Sequence, residues 1–134
     1  MAGEARVPIR HEADIVVARQ QGRTLASRLG FSSIDQTLIA TAISEVARNI
    51  VAYATGGEII LHAIQQDGGK RGLVIIARDE GPGIPDIGLA MQNGYSTSNS
   101  LGLGLPGAKR MMDEFDIVSA VGQGTTITMK KWQH

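Results

Sequence analysis

Two pairs of strand-like segments are joined by connections too short for a crossover, and this limits the fold more than any other feature of the chain. Residues 58–65 and 73–79 are runs of β-branched and apolar side chains separated only by the turn-rich stretch QDGGKRG. Residues 117–121 and 125–132 flank Gly122-Gln123-Gly124 as a closing hairpin. Parallel neighbours need a connection of about a dozen residues or more, so both pairs must run antiparallel. Residues 6–10 alternate and suit an edge strand.

Helical spacing accounts for the intervening segments. In residues 14–29, Ile15, Ala18, Gly22, Leu25 and Leu29 step by three and four, and Gly30 is a fitting stop. Ser33 followed by Gln36 reads as a capping box that opens a longer helix to about Ala54, with Ile39, Ile43, Val46, Ile50 and Ala54 as its apolar stripe. Pro106 suits the first turn of a third helix that carries Ala108, Met111, Met112 and Phe115 on one face. Three helices packed on one face of a mixed, mostly antiparallel sheet give an α/β (α+β) two-layer sandwich.

The glycines need a separate explanation. There are 17 in 134 residues, about 13% against a usual ~7%. They form no Gly/Ser linker and no three-residue repeat. Instead they gather at 81–83, 102–107 and 122–124, each cluster beside a strong secondary-structure signal. With no linker or internal repeat, residues 1–134 read as a single domain carrying three special loops.

Those loops lie next to residues able to do chemistry. Glu45 and Asn49 are four apart on the long helix, on the shoulder of its apolar stripe, while Arg48 is expected to point away towards solvent. The Asn49 amide oxygen is a hard donor suited to Mg²⁺. Glu45 has the chemistry of a general base, or of a group that orients an attacking hydroxyl in phosphoryl transfer. Taken alone, the pair reads more simply as two polar residues on a solvated flank. Asp79 ends an apolar strand just before Glu80-Gly81-Pro82-Gly83. It is placed to accept a hydrogen bond from a ligand; if that ligand is a purine, its acceptors would pair with adenine's exocyclic amine and repel guanine's carbonyl, and Gly81 and Gly83 would let backbone approach a flat ring. A turn-initiating Asp is the plainer alternative. Leu101-Gly102-Leu103-Gly104-Leu105-Pro106-Gly107 leads into a helix and so offers amides to phosphate. The polar stretch 92–100 between the clusters suits a mobile lid whose Ser96 and Thr97 hydroxyls touch phosphates, or an ordinary loop.

Several classes are excluded. No parallel βαβ unit surrounds the glycines, and neither GxxxxGK[ST] nor an H-R-D loop occurs. With no cysteine, thiol and disulfide chemistry are ruled out. His11, His62 and His134 lack metal-ligand spacing. Formal net charge is zero, so neither nucleic acid nor membrane is an expected partner. MAGEARVPIR has no apolar core, and the expected location is cytoplasmic. Arg19, Arg23 and Arg28 read as a solvated helix face or, with Arg48, as a dock for an acidic surface.

The order of these motifs carries more than any one of them. Glu45-Val46-Ala47-Arg48-Asn49, Asp79-Glu80-Gly81-Pro82-Gly83, Gly102-Leu103-Gly104-Leu105 and Gly122-Gln123-Gly124-Thr125 follow one another over about residues 6–132. Together they resemble the Bergerat ATP-binding superfamily of gyrase, the heat-shock chaperone, histidine kinases and MutL. AISEVARNI, RDEGPGIPDI and LGLGLPGAKRMMDEF are similar to the RsbT-type serine/threonine switch kinases, relatives of the anti-sigma-factor kinases. The resemblance implies ATP and Mg²⁺ as cofactors, Asn49 as metal ligand, Glu45 as base and Asp79 as adenine partner. It also implies Gly102, Leu103, Gly104 and Leu105 in the phosphate-side loop, and Gly124 and Thr125 in the last glycine box. The expected activity is phosphorylation of Ser or Thr on STAS-domain proteins, RsbS-like and RsbR-like components of a stressosome. A downstream output protein, such as a phosphatase regulator, is the further partner. The alternative is an anti-sigma factor or adaptor module whose bound ATP tunes partner affinity.

Overall fold

A computed structural model describes residues 4–66, 68–81 and 104–133. The strands are β1 (Glu4–Ile9), β2 (Gly57–Gln65), β3 (Arg71–Asp79), β4 (Glu114–Ala120) and β5 (Gly124–Trp132), and the described helices are α1 (Glu12–Arg28), α2 (Ser33–Tyr53) and α3 (Gly104–Met111). The five strands form one sheet in the order β1-β2-β3-β5-β4. Every pairing in it is antiparallel.

One face of the sheet is buried under the helices. Val7 and Ile9, Ile59 and Leu61, Leu73, Ile75 and Ala77, and Ile127 and Met129 alternate along their strands into a core completed by Ile15, Ile39, Ile43, Val46, Ile50, Leu105 and Ala108. α2 is the central helix, packed by α1, α3 and the sheet. Residues 42–47 of it are all buried, so it has no broad solvated side along that stretch. Small residues make this arrangement feasible. Ala42 and Ala47 are fully covered, and Ser44 returns its hydroxyl proton to the Ala40 carbonyl at 2.9 Å. Gly22 lets α1 close on α2, where a Cβ would overlap Ile43.

Two element boundaries differ from the sequence reading. The N-cap of α2 is Ser32, whose hydroxyl accepts from the Asp35 amide at 3.1 Å. Gln36 does not close a capping box with Ser33; its side-chain amide donates to the Phe31 carbonyl at 2.9 Å. Phe115 is not on the third helix either. α3 ends at Met111, and Phe115 lies in β4 opposite Met129. Lys131 is a buried cation near that end. Its ammonium donates to the Met111 carbonyl at 3.0 Å and lies 3.9 Å from Asp35, tying β5 to the last turn of α3 and the first turn of α2.

Candidate functional site

The chemistry gathers at the end of the sheet where β3 finishes. The antiparallel register sets Gly57, Asp79, Thr125 and Ser119 in one row across β2, β3, β5 and β4, in the same alternation as the core residues. Asp79 is only 9% exposed, and its Oδ1 accepts from the Gly81 amide at 2.9 Å. One carboxylate oxygen is thus used to fix the turn after β3. Thr125 is buried beside it, with its hydroxyl 2.8 Å from that of Ser119. Ser119 also donates to the Gly124 carbonyl at 3.2 Å. Ser119 was not singled out from the sequence; its place in an alternating strand opposite a glycine-box threonine was the available signal.

Glycines make this row possible. Gly124 has φ +84°, and a Cβ there would overlap the Asp79 carbonyl oxygen and lie 2.9 Å from the Glu80 Cα. At Gly81 a Cβ would meet the Cβ of Ala54, the C-cap of α2, at 2.7 Å. The end of β3 and the end of α2 are therefore held against each other.

α2 carries the second half of the site along its length. Glu45 is 8% exposed, and both of its oxygens are used. Oε1 accepts from the Gly104 amide, the first of α3, at 3.1 Å. Oε2 accepts from the Arg48 guanidinium at 3.0 Å. Asn49 follows one turn later, half-buried on the way to Ala54 and Gly81. The reading of Arg48 as directed away to solvent is therefore corrected: its long side chain bends back over three residues onto Glu45, and 38% of it is exposed. Arg19, Arg23 and Arg28 are exposed, as expected of a solvated face.

The structure brings Asp79, Gly81, Gly124 and Thr125 together at the sheet end, and Glu45 and Gly104 together where α2 meets α3. The Leu105 side chain belongs to the core, which leaves its backbone as the part able to serve a ligand. Gly83, Ser96, Thr97, Gly102, Leu103 and the lid at 92–100 lie outside the described residues. Among the described residues no cluster of three or more His, Cys, Asp or Glu offers a protein-only metal cage. A single amide oxygen at Asn49 fits a Mg²⁺ that takes its other ligands from phosphate and water. No described helix is long and apolar enough to cross a membrane.

With this geometry in hand, comparison with known proteins is specific. A model of the histidine kinase-, DNA gyrase B- and HSP90-like ATPase family matches residues 34–133. The serine/threonine-protein kinase RsbT of Bacillus subtilis (strain 168) is 54% identical over 132 residues, which cover 98% of both chains. An anti-sigma F factor of Geobacillus stearothermophilus is 31% identical over 121 residues, 85% of this chain and 81% of that protein. The solved RsbU and RsbW domains of Rv1364c from Mycobacterium tuberculosis share the fold, with a TM-score of 0.62 at 24% identity. That match covers 96% of this chain and 32% of the other, so this chain spans about a third of that one's length.

Proposed function

The chain belongs to the histidine kinase-, DNA gyrase B- and HSP90-like ATPase family, and from that premise we propose that it is an ATP-dependent protein serine/threonine kinase acting in partner switching. Its substrates are STAS-domain proteins, RsbS-like and RsbR-like, of a stressosome-type complex, and the free kinase goes on to engage an output protein. The observation that carries the reading is the pair on α2: Glu45, buried and bonded to the first amide of α3, one turn from Asn49.

Each residue has a defined task. Asp79 accepts from adenine's exocyclic amine, with Thr125 beside it in the same row. Phosphate oxygens meet the start of α3, where the Gly104 amide and the helix dipole favour negative charge. Asn49 holds Mg²⁺, which when bound neutralises charge on the phosphates. Glu45 accepts or orients the proton of the attacking Ser or Thr hydroxyl. Gly102, Leu103, Ser96 and Thr97 complete the phosphate side, and Gly83 the adenine side. The reaction runs in the cytoplasm.

The test is single-turnover transfer from γ-labelled ATP to a STAS-domain protein of the same genome, with nucleotide affinity measured alongside. Glu45→Gln should still bind ATP and lose about 10²–10⁴-fold in transfer. Asn49→Ala should lose both ATP·Mg²⁺ binding and transfer. Transfer by Glu45→Gln at the unmodified rate would show that Glu45 is neither base nor orienting group. The similarity to an anti-sigma F factor favours a second reading, an adaptor whose bound ATP sets partner affinity. That reading requires partner binding to depend on ATP while no label is transferred.

A further inference from the structure

We infer that Arg48 is a positioning residue for phosphoryl transfer, holding the Glu45 carboxylate in its working orientation; this rests on the assignment of Glu45 above. Three observations support it. The Glu45 side chain is almost wholly buried, whereas that of Arg48 is partly exposed, so the anion lies inside and the cation nearer the surface. The two Glu45 oxygens have different partners, Oε1 on the Gly104 amide at 3.1 Å and Oε2 on Arg48 Nη1 at 3.0 Å. Arg48 is also the cation that pairs with Glu45 among the described residues.

The consequence follows from competition for one amide. Gly104 opens α3, and its N–H is among the donors that phosphate oxygens need. When phosphate takes that donor, Oε1 of Glu45 loses its partner and Arg48 is left as the group that fixes the carboxylate. A buried carboxylate without its cation is an uncompensated charge and moves away from the reacting hydroxyl. Positioning errors of about 1 Å cost on the order of 10²-fold in rate. Arg48 therefore acts on the rate of transfer and leaves adenine recognition at Asp79 unaffected.

The experiment is a double-mutant cycle between Glu45 and Arg48 in the full chain, read by single-turnover label transfer from ATP to the same STAS-domain protein. ATP affinity and thermal unfolding are measured for every variant. Arg48→Ala should transfer about 10–100-fold more slowly, with ATP affinity within about twofold. Arg48→Gln keeps most of the side-chain stem and replaces Arg48→Ala in the cycle should that variant fail to fold. The contact runs through one nitrogen, so Arg48→Lys, a point charge, should recover most of the rate. A residue that merely stabilises α2 would not be rescued in this way. In a Glu45→Gln background, Arg48→Ala should cost less than about twofold more, because the group it positions is gone. Full transfer by Arg48→Ala, a multiplicative loss in the Glu45→Gln background, or a loss of ATP affinity in place of rate each overturns the inference. Slow Glu45→Gln with fast Arg48→Ala refutes Arg48 alone, whereas fast Glu45→Gln refutes the base assignment and this inference with it.

Discussion

Gly124 offers the sharpest test of how the end of the sheet around Asp79 is built, because Gly122, two residues away, is a matched control. Both glycines are left-handed, at φ +84° and +80°. An L-residue in that region costs about 1–2 kcal/mol. At Gly122 a Cβ would meet nothing within 4 Å, so Gly122→Ala bears that cost alone. At Gly124 the Cβ would overlap the Asp79 carbonyl oxygen and lie 2.9 Å from Glu80 Cα and 3.0 Å from the Asp79 carbonyl carbon. These neighbours are backbone atoms of the last residue of β3 and the one after it, which cannot rotate away as a side chain can. Overpacking of this kind adds about 1–3 kcal/mol, for a total of about 2–5 kcal/mol. A domain of this size has roughly 7–20 kcal/mol of stability, so Gly124→Ala should still fold. At about 3 °C per kcal/mol its Tm should fall by roughly 6–15 °C, and that of Gly122→Ala by about 3–6 °C. Part of the strain is relieved by shifting Asp79, so Gly124→Ala should also bind ATP at least about tenfold more weakly, while Gly122→Ala binds it normally. The assays are thermal unfolding and calorimetric titration with ATP·Mg²⁺. Equal Tm losses for the two variants, with unchanged ATP affinity for Gly124→Ala, would refute the argument that this close approach sets the position of Asp79.

Asp79→Asn replaces one acceptor by a donor, so calorimetry should find weaker ATP binding and a reduced preference for ATP over GTP; equal affinity of the unmodified protein for both would sink the assignment. Asp14 accepts from the Arg10 and His11 amides at 2.8 and 3.0 Å, which hold its carboxyl below the usual carboxylate range. A lowered folded-state pKa contributes stability that is complete above about pH 4 and is lost as pH falls through the folded value. The Tm gap between the unmodified chain and Asp14→Ala should therefore be largest above pH 4 and close in stronger acid. Lys131→Met should cost about 1–3 kcal/mol, seen as a lower urea midpoint, because the Met111 carbonyl loses its donor and Asp35 its cation.

The strands were legible because β-branched runs and short turns left few alternatives. β2 and β3 start one and two residues earlier than the sequence suggested, at Gly57 and Arg71. The core stripe of α2 was legible for the same reason, a period repeated often enough to count. The misreadings came where two patterns overlap. Ser32 and Ser33 are both sound caps, and the Gln36 side chain settles the matter by bonding Phe31 rather than the cap. Phe115 continues the helical spacing of Ala108, Met111 and Met112, yet it also alternates with Ile117, and pairing with Met129 and Ile127 on β5 decides for the strand. For Arg48, helix geometry fixes only where the Cβ points. A side chain with four rotatable bonds can return to a neighbour three residues back, and a buried carboxylate gives it reason to. Burial of Glu45 depends on α3 packing against α2, a contact between residues 59 apart in the chain.

Beside the room that glycine loops leave for a ligand, three of the described glycines have a packing use in the structure. Gly57, Gly81 and Gly124 come from three separate segments, and at each the missing Cβ would lie against protein: the Arg78 carbonyl oxygen, Ala54 and the Asp79 carbonyl oxygen, respectively. All three contacts surround the end of β3. Gly57 and Gly124 bring the neighbouring strands β2 and β5 tightly against Asp79, and Gly81 brings in the last turn of α2. A helix that carries Glu45 and Asn49 and a strand that carries Asp79 are thereby held in one spacing, with no side chain larger than the Ala54 methyl at the contact. Phosphoryl transfer depends on holding base, metal ligand and nucleotide within fractions of an ångström, and backbone-to-backbone contact is stiffer than contact through rotatable side chains. The glycines near Asp79 thus remove freedom from the scaffold, although glycine is the residue with most freedom of its own.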